Sequence, residues 1–155
     1  MSSDKENMWL ALEEAMQAYI EGEVPIGAVL VDNESGVLVC KNHNRIEQLN
    51  DATAHAEILV LREASEKLKR RRLTNCTLYV TVEPCAMCAG ALVLSRVERL
   101  VYGAADSKFG AAESIFNVVN NPALNHQLKV TAGILEFESR KLLQKFFIEQ
   151  RKSRS

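Results

Sequence analysis

The sequence has no long apolar stretch. Apolar runs such as Ile26–Val31 and Ala89–Leu94 are far shorter than the roughly 20 residues that a transmembrane helix needs. The first six residues, Met1–Glu6, carry charges of both signs and no apolar segment, so there is no recognisable secretory signal. We therefore expect a cytoplasmic protein that does not span or enter a membrane.

The chain also has almost no net charge, because 19 Lys and Arg residues stand against 20 Asp and Glu residues, giving −1. This excludes a basic field over the whole protein that would attract nucleic acid. The balance is uneven, however: residues 1–50 carry a net −6 and residues 51–155 a net +5. The asymmetry arises either by chance or from a locally basic face in the C-terminal part.

Compositional bias is absent as well. Hydrophobic residues make up 47% and charged residues 25% of the chain, which are ordinary globular values and exclude disorder and collagen-like repeats. A length of 155 residues is typical of one domain. We therefore expect residues 1–155 to form a single domain around one hydrophobic core.

The four cysteines are not expected to form disulfides, because a chain without a secretory signal stays in a reducing compartment. Cys40 and Cys76 each lie in an apolar, strand-like run and are interpreted as buried thiols. Cys85 and Cys88 lie in a different context, Glu83-Pro84-Cys85-Ala86-Met87-Cys88, and point to chemistry.

Hydrophobic periodicity and turn residues predict alternating strands and helices. The expected elements are a helix from Met8 to Ile20 with a capping box at Ser3 and Glu6, a hairpin of Ile26–Asp32 and Val37–Cys40, a helix from Thr53 or Ala54 to about Leu68, a strand Thr77–Thr81, a helix Ala86–Ser95, a strand Arg99–Tyr102, a short helix Ser114–Asn120, a strand Leu128–Thr131 and a helix Glu136–Arg151. After the hairpin the order is that of βαβ units with parallel strands. The sequence therefore predicts an α/β domain with helices on both faces of the sheet.

Cys85 and Cys88 stand at the expected start of a helix that directly follows a strand. Their spacing puts both sulfurs on one side of the first turn, where free N–H groups and the helix dipole favour thiolates. Taken alone, the pair is compatible equally with a redox dithiol of thioredoxin type and with half of a metal site.

A metal site needs further ligands, and the candidates are His43, His55 and His126. His55 stands out because Glu57 follows two residues later; both can serve one site only if the start of their helix faces that site end-on. A carboxylate there favours a catalytic zinc site over a closed structural one, since catalytic zinc keeps a position for water. His55-Ala56-Glu57 and Pro84–Cys88 together match the H-x-E…P-C-x-x-C pattern of zinc deaminases, in which the glutamate moves protons and does not bind zinc.

On these motifs the chain resembles bacterial tRNA adenosine deaminases of the TadA type, within the cytidine-deaminase-like superfamily. The resemblance covers nearly the whole chain and includes Glu23–Val29, Asn44-Arg45, Thr53–Ile58, Leu78–Cys88, Val101–Ala104, Lys108–Ala112, Leu124–His126 and Phe146-Phe147. It implies a three-layer α/β/α domain with a five-stranded mixed sheet, one zinc ion per subunit on His55, Cys85 and Cys88, and Glu57 as proton shuttle. It also implies a homodimer and the conversion of adenosine to inosine at the wobble position of a tRNA anticodon.

The resemblance further suggests substrate contacts, each with a plainer alternative. Asn44 matches a residue that holds the base or ribose, or it is a turn residue. Val24 and Ala54 form pocket walls or only core, and Pro84 is expected to contact the substrate. Asp106 and Lys108 lie near the anticodon backbone or in a solvated loop. Phe109 stacks on a base or packs in the core. Arg151 and Lys152 contact the tRNA backbone or solvent. The basic run Lys67–Arg72 is interpreted as a solvated face, because it lies at the far end of the His55 helix.

Three rival functions remain at this point. A deaminase of a free base, nucleoside or nucleotide shares the zinc motif. A thiol redox protein would use Cys85 and Cys88 but has no need of His55 and Glu57. A non-catalytic zinc module would not need Glu57.

Overall fold

A computed structural model describes residues 3–154 and contains a five-stranded mixed sheet in the order β2-β1-β3-β4-β5. The elements are α1 Asp4–Ile20, β1 Gly27–Asp32, β2 Leu38–His43, α2 Ile46–Leu49, α3 Ala56–Leu68, β3 Cys76–Val82, α4 Ala86–Leu94, β4 Arg99–Ala104, β5 Lys129–Ala132 and α5 Glu136–Ser153. β1 is antiparallel to β2 and β3, whereas β3, β4 and β5 run parallel. The predicted α/β class with a five-stranded mixed sheet is confirmed.

The sheet separates two apolar layers because successive side chains of a strand point to opposite faces. Leu30, Leu78 and Leu100 face a cluster shared with α3 and α4. Val29, Tyr79 and Val101, which alternate with them, face a second cluster built with α1 and the residues that lead into α5. The result is the expected α/β/α sandwich, with the central strand β3 buried along its whole length.

One local prediction is wrong, and one short helix was not predicted. Residues 114–120 form turns and no helix, because Asn117 accepts from the backbone N–H of Asn120 and so closes a turn of its own. The short helix α2 was not expected, since four residues are too few to show a period. This helix is stabilised by a residue that lies outside it: the buried Glu23 carboxylate accepts from the N–H groups of Glu47 and Gln48 at 3.1 and 2.8 Å.

The other boundaries differ by up to four residues, the largest difference being the start of α1 at Asp4 instead of Met8. The boundary that matters most for function is the start of α3. This helix begins at Ala56, not at Thr53 or Ala54, and His55 is its N-cap residue in an extended conformation. The capping residue Ser3 is confirmed, since its Oγ accepts from the N–H of Glu6 at 3.2 Å. Within residues 3–154, none of the helices is both long and apolar enough to cross a membrane.

An ion pair fastens the start of α1 to the sheet and should make stability depend on pH. Arg99 donates to both carboxylate oxygens of Asp4 at 2.8 and 2.6 Å, and the Tyr79 hydroxyl donates to the same group. The Arg99 guanidinium lowers the pKa of Asp4, so the stabilisation is present above the unfolded-state pKa of about 3.9 and is lost as the pH falls through the lower folded value.

We expect Asp4→Asn to lower the free energy of unfolding by about 1 kcal/mol near pH 6, a modest value because the pair is partly exposed. The gap between parent and variant should shrink steadily below about pH 4, as measured by urea unfolding at low ionic strength. A gap that stays constant down to about pH 2.5 would contradict this account.

Candidate active site

Two helix N-termini meet beside the C-terminal end of β3. β3 ends at Val82, and Glu83 and Pro84 lead to Cys85, the extended N-cap residue of α4 (φ −74°, ψ 176°). His55 is the N-cap residue of α3 and is also extended (φ −76°, ψ 150°). Because His55 precedes the helix, its side chain need not follow helical spacing, and it and Glu57 in the first turn can address one site.

The side chains of His55, Cys85 and Cys88 converge. The His55 Nδ1 atom lies 3.6 Å from the Sγ of Cys85 and 3.4 Å from the Sγ of Cys88, and the three donor atoms all lie within 4.8 Å of one another. This group could hold a metal ion.

The other two histidines lie elsewhere. Both ring nitrogens of buried His43 face carboxylates, Glu14 at 2.9 Å and Glu21 at 3.1 Å. The Nε2 atom of His126 lies 2.7 Å from the carbonyl oxygen of Val97. Of the three candidate histidines, the structure therefore brings only His55 to the two cysteines.

Electrostatics sets these groups apart from the other cysteines. Hydrogen bonding from Cys88, helped by His55, lowers the pKa of Cys85 to about 4, and the Cys85 sulfur in turn raises the pKa of Cys88. Burial raises the pKa of Cys40 to about 12, as expected of an inert core thiol. Cys40 and Cys76 are buried and free, so their interpretation as core residues is confirmed.

Glu57 is buried next to this cluster, with only 4% of its surface exposed. Burial raises the pKa of Glu57 to about 7, and its carboxyl group interacts with the Cys88 thiol. A carboxyl group with a pKa near neutrality can both take up and release a proton at physiological pH.

Asn44 and Ala54 hold the start of α3 in place. The Asn44 Oδ1 atom accepts from the N–H of Ala56 at 2.8 Å, and the Ala54 carbonyl accepts from the N–H of Arg45 at 3.0 Å. Asn44 thereby fixes the backbone between His55 and Glu57. This structural role stands beside the predicted contact with the substrate.

A groove of about 580 Å³ runs between α2, the loop after β4 and the end of α5. Its lining combines three cations, Lys108, Arg151 and Arg154, with two acidic residues, Glu23 and Glu47. Val24 and the exposed ring of Phe147 also line it. Three predicted contact residues from distant parts of the chain, Val24, Lys108 and Arg151, therefore line one groove.

Lys152 does not join them, because it lines a separate groove between α1 and α5 with Trp9 and Met16. Phe109 is 65% exposed, so its alternative interpretation as a core residue is wrong. Asp106 accepts from the N–H groups of Lys108 and Phe109 at 3.0 and 3.1 Å and shapes their turn. In the basic run, all five cations (Lys67, Lys69, Arg70, Arg71 and Arg72) are exposed, as expected of a solvated face.

Sequence reasoning missed one buried charged residue next to the site. Glu83, 3% exposed, accepts hydrogen bonds from the loop after β4. Burial opposes its ionisation, but the hydrogen bonds from Ser114 and from backbone N–H groups prevail and lower the pKa of Glu83. The available signal was a glutamate placed between the predicted buried strand Thr77–Thr81 and Pro84, where a solvated side chain is not expected.

Comparisons with known proteins agree with this geometry. The family described as MafB19-like deaminase matches residues 2–151. The tRNA-specific adenosine deaminase of Bacillus subtilis is 47% identical over 154 residues, covering 99% of this chain and 94% of that protein.

Two solved structures are similar to this fold. One, from a study of A-to-I editing by tRNA:A34 deaminases at the wobble position, has a TM-score of 0.85 and 48% identity, covering 89% of this chain and 99% of that one. Another, a guanine deaminase from Nitrosomonas europaea, has a TM-score of 0.83 at 27% identity, covering 94% and 85%. The chain therefore belongs to the family of bacterial tRNA-specific adenosine deaminases, within the cytidine-deaminase-like superfamily.

Proposed function

We propose that this protein converts adenosine to inosine by hydrolysis at the wobble position of a tRNA anticodon. The observation that carries the proposal is the convergence of His55, Cys85, Cys88 and Glu57 at two facing helix N-termini, in a chain 47% identical to a tRNA-specific adenosine deaminase. The reaction consumes one water molecule and releases ammonia.

We propose zinc as the metal because the donor set and its dimensions fit. Zinc prefers nitrogen and sulfur ligands at about 2.1 and 2.3 Å in a tetrahedron, which separates a nitrogen from a sulfur by about 3.6 Å. The corresponding distances from His55 Nδ1 are 3.6 and 3.4 Å. Three protein ligands leave the fourth tetrahedral position for water, as in catalytic zinc sites.

Held by His55, Cys85 and Cys88, zinc would supply Lewis-acid chemistry to the water that attacks C6. Glu57 would accept a proton from that water and deliver it to N1 of the adenine, and would then carry the remaining hydroxyl proton to the C6 amino group, which leaves as ammonia. Its burial and its pKa of about 7 suit both transfers. The lowered pKa of Cys85 favours its thiolate even without metal, so deprotonating this ligand costs little free energy.

The target base must leave its stack to reach this site. We propose that Asn44, Val24, Ala54 and Pro84 form the walls around the flipped base. Asp106, Lys108 and Phe109 face the neighbouring nucleotides: Lys108 suits a phosphate, and the exposed Phe109 ring suits base stacking.

Farther from the base, we propose that Arg151 and Lys152 bind the tRNA backbone. Arg151 shares its groove with Lys108, so a single strand of RNA could contact both. In this groove the cations Lys108, Arg151 and Arg154 outnumber the acidic Glu23 and Glu47. A chain with a net charge of −1 can therefore bind a polyanion where the contact is confined to one short loop of RNA.

A second candidate is deamination of a free purine, favoured by the fold shared with the guanine deaminase at a TM-score of 0.83. A small-molecule enzyme needs no cationic groove outside its pocket. The groove lined by Lys108, Arg151 and Arg154 therefore favours the RNA substrate.

The experiment that tests this proposal offers both substrates to the zinc-loaded protein. Anticodon stem-loops with adenosine at the wobble position should yield inosine, detected by nuclease digestion and mass spectrometry, whereas stem-loops with that adenosine moved by one position should not. Guanine, cytidine and free adenosine should remain unchanged. Product formed from the free compounds alone would refute the tRNA proposal.

Two further proposals accompany the function. We propose a homodimer, for which exposed apolar side chains such as Leu94 (80%), Phe116 (54%) and Ile115 (50%) provide available surface. A tRNA substrate also implies that the protein acts in the cytoplasm.

A further inference from the structure

The Glu83 carboxylate collects five hydrogen bonds from one loop. Its Oε1 atom accepts from the N–H of Asp106 at 3.0 Å and from the Ser114 hydroxyl. Its Oε2 atom accepts from the N–H groups of Ala112, Glu113 and Ser114 at 3.1, 2.8 and 2.9 Å. All five donors belong to residues 106–114, a segment between β4 and β5 without helix or strand.

The backbone of this loop depends on Glu83 for hydrogen bonds because the loop belongs to no helix or strand. Three successive backbone N–H groups, from Ala112 to Ser114, point at a single oxygen of the buried Glu83 carboxylate, and a buried polar group needs such partners. Pro84, which follows Glu83, also binds the loop, because its carbonyl accepts from the N–H of Ala111 at 2.8 Å. The loop is thus tied to the segment that ends in Cys85.

The packing is as tight as the hydrogen bonding. A Cβ atom added to Gly110 would collide with the Glu83 carboxyl group and would lie 2.5 Å from the Asp106 carbonyl oxygen. Only glycine lets the loop lie this close to the carboxylate. The turn that presents Lys108 and Phe109 is therefore seated directly on Glu83.

We propose that Glu83 is a positioning residue for RNA binding, whose carboxylate holds loop 106–114 so that Lys108 and Phe109 meet the nucleotides beside the target base. The inference rests on the proposed function, since it assigns Glu83 a part in the same site. Glu83 does not touch the reacting atoms and acts only through the loop.

The main test is Glu83→Gln, which keeps the shape of the side chain but replaces one acceptor oxygen with an NH2 group that faces donors. We expect KM for the anticodon stem-loop to rise by about tenfold while kcat stays within about threefold, because binding contacts and not the chemistry are disturbed. Zinc content should be unchanged. Hydrogen exchange at the N–H groups of residues 112–114 should become at least about tenfold faster.

Three further variants keep the test decisive if Glu83→Gln folds poorly. Ser114→Ala removes one of the five hydrogen bonds and should raise KM less. Glu83→Asp keeps the carboxylate and should restore part of the lost affinity. Glu23→Gln is the matched control, because Glu23 is also a buried carboxylate that accepts backbone hydrogen bonds, and it should speed exchange at Glu47 and Gln48 but not at residues 112–114.

Two results would overturn the inference: unchanged exchange at residues 112–114 in Glu83→Gln, or a loss confined to kcat with KM unchanged. Exchange and zinc content are measured without RNA, so they also distinguish this inference from the proposed function. If the parent protein forms no inosine but the loop loosens as expected, the function is wrong and the contact between Glu83 and the loop stands.

Discussion

Glu57→Gln should reduce kcat for inosine formation by about 10⁴-fold, the upper end of what general acid–base catalysis contributes, because one side chain serves both proton transfers. Glutamine fills the same buried space but cannot accept a proton from water. The metal should remain bound, since His55, Cys85 and Cys88 form the ligand group without Glu57. Single-turnover assays on the stem-loop, with metal analysis of the same sample, measure both quantities.

The matched control for this substitution is Glu66→Gln, on the exposed side of the same helix. It makes the same chemical change away from the site and should keep the parental rate. If Glu57→Gln deaminates at nearly the parental rate, or if it loses its metal, the assignment of Glu57 as the proton carrier is wrong.

The group of possible metal ligands was predictable because its cysteines stand at a recognisable separation in the sequence. Cys85 and Cys88 are three residues apart at the start of α4, and the structure places them there with His55 3.6 and 3.4 Å away. What the sequence could not show is why His55 and Glu57 meet at one site. The answer depends on the exact start of α3, which Asn44 fixes by accepting from the N–H of Ala56.

The strands and long helices were also predictable, since apolar periodicity extends over enough residues to be recognised. The segment between β4 and β5 was not. The conformation of residues 106–114 depends on Glu83, more than 20 residues earlier in the chain. Local pattern shows no such partner, and it also predicted a helix at 114–120 where the structure has turns. The same holds for α2, whose N–H groups depend on the distant Glu23.

Short segments held by a distant carboxylate thus escape sequence reasoning for one physical reason: the partner that satisfies their backbone is not a neighbour in the chain. In this protein both such segments border the groove that we propose for RNA. Glu47, in the segment held by Glu23, and Lys108, in the segment held by Glu83, both line it. The segments that we propose bind RNA are accordingly less predictable from local sequence than the residues that could hold a metal ion.

Cys88→Ala should abolish deamination and bring the metal content well below that of the parent. Cys88 is buried and supplies one of only three donor atoms in the group, and two remaining ligands do not complete a tetrahedral zinc site. Added zinc should not restore activity to Cys88→Ala. In contrast, the parent stripped by a chelator should regain its activity when zinc is returned, because its three ligands are intact.

Cys76→Ala provides the matched control, since it removes the same thiol from another buried cysteine. Cys76 lies in the apolar cluster between the sheet and the helices α3 and α4, so its loss should lower stability slightly and leave metal content and kcat near the parental values. Loading both variants with Co²⁺ separates the two roles, because thiolate–cobalt absorption reports ligand sulfur directly. A Cys88→Ala protein that keeps parental absorption would remove Cys88 from the ligand set, and a Cys76→Ala protein that loses it would place the metal elsewhere.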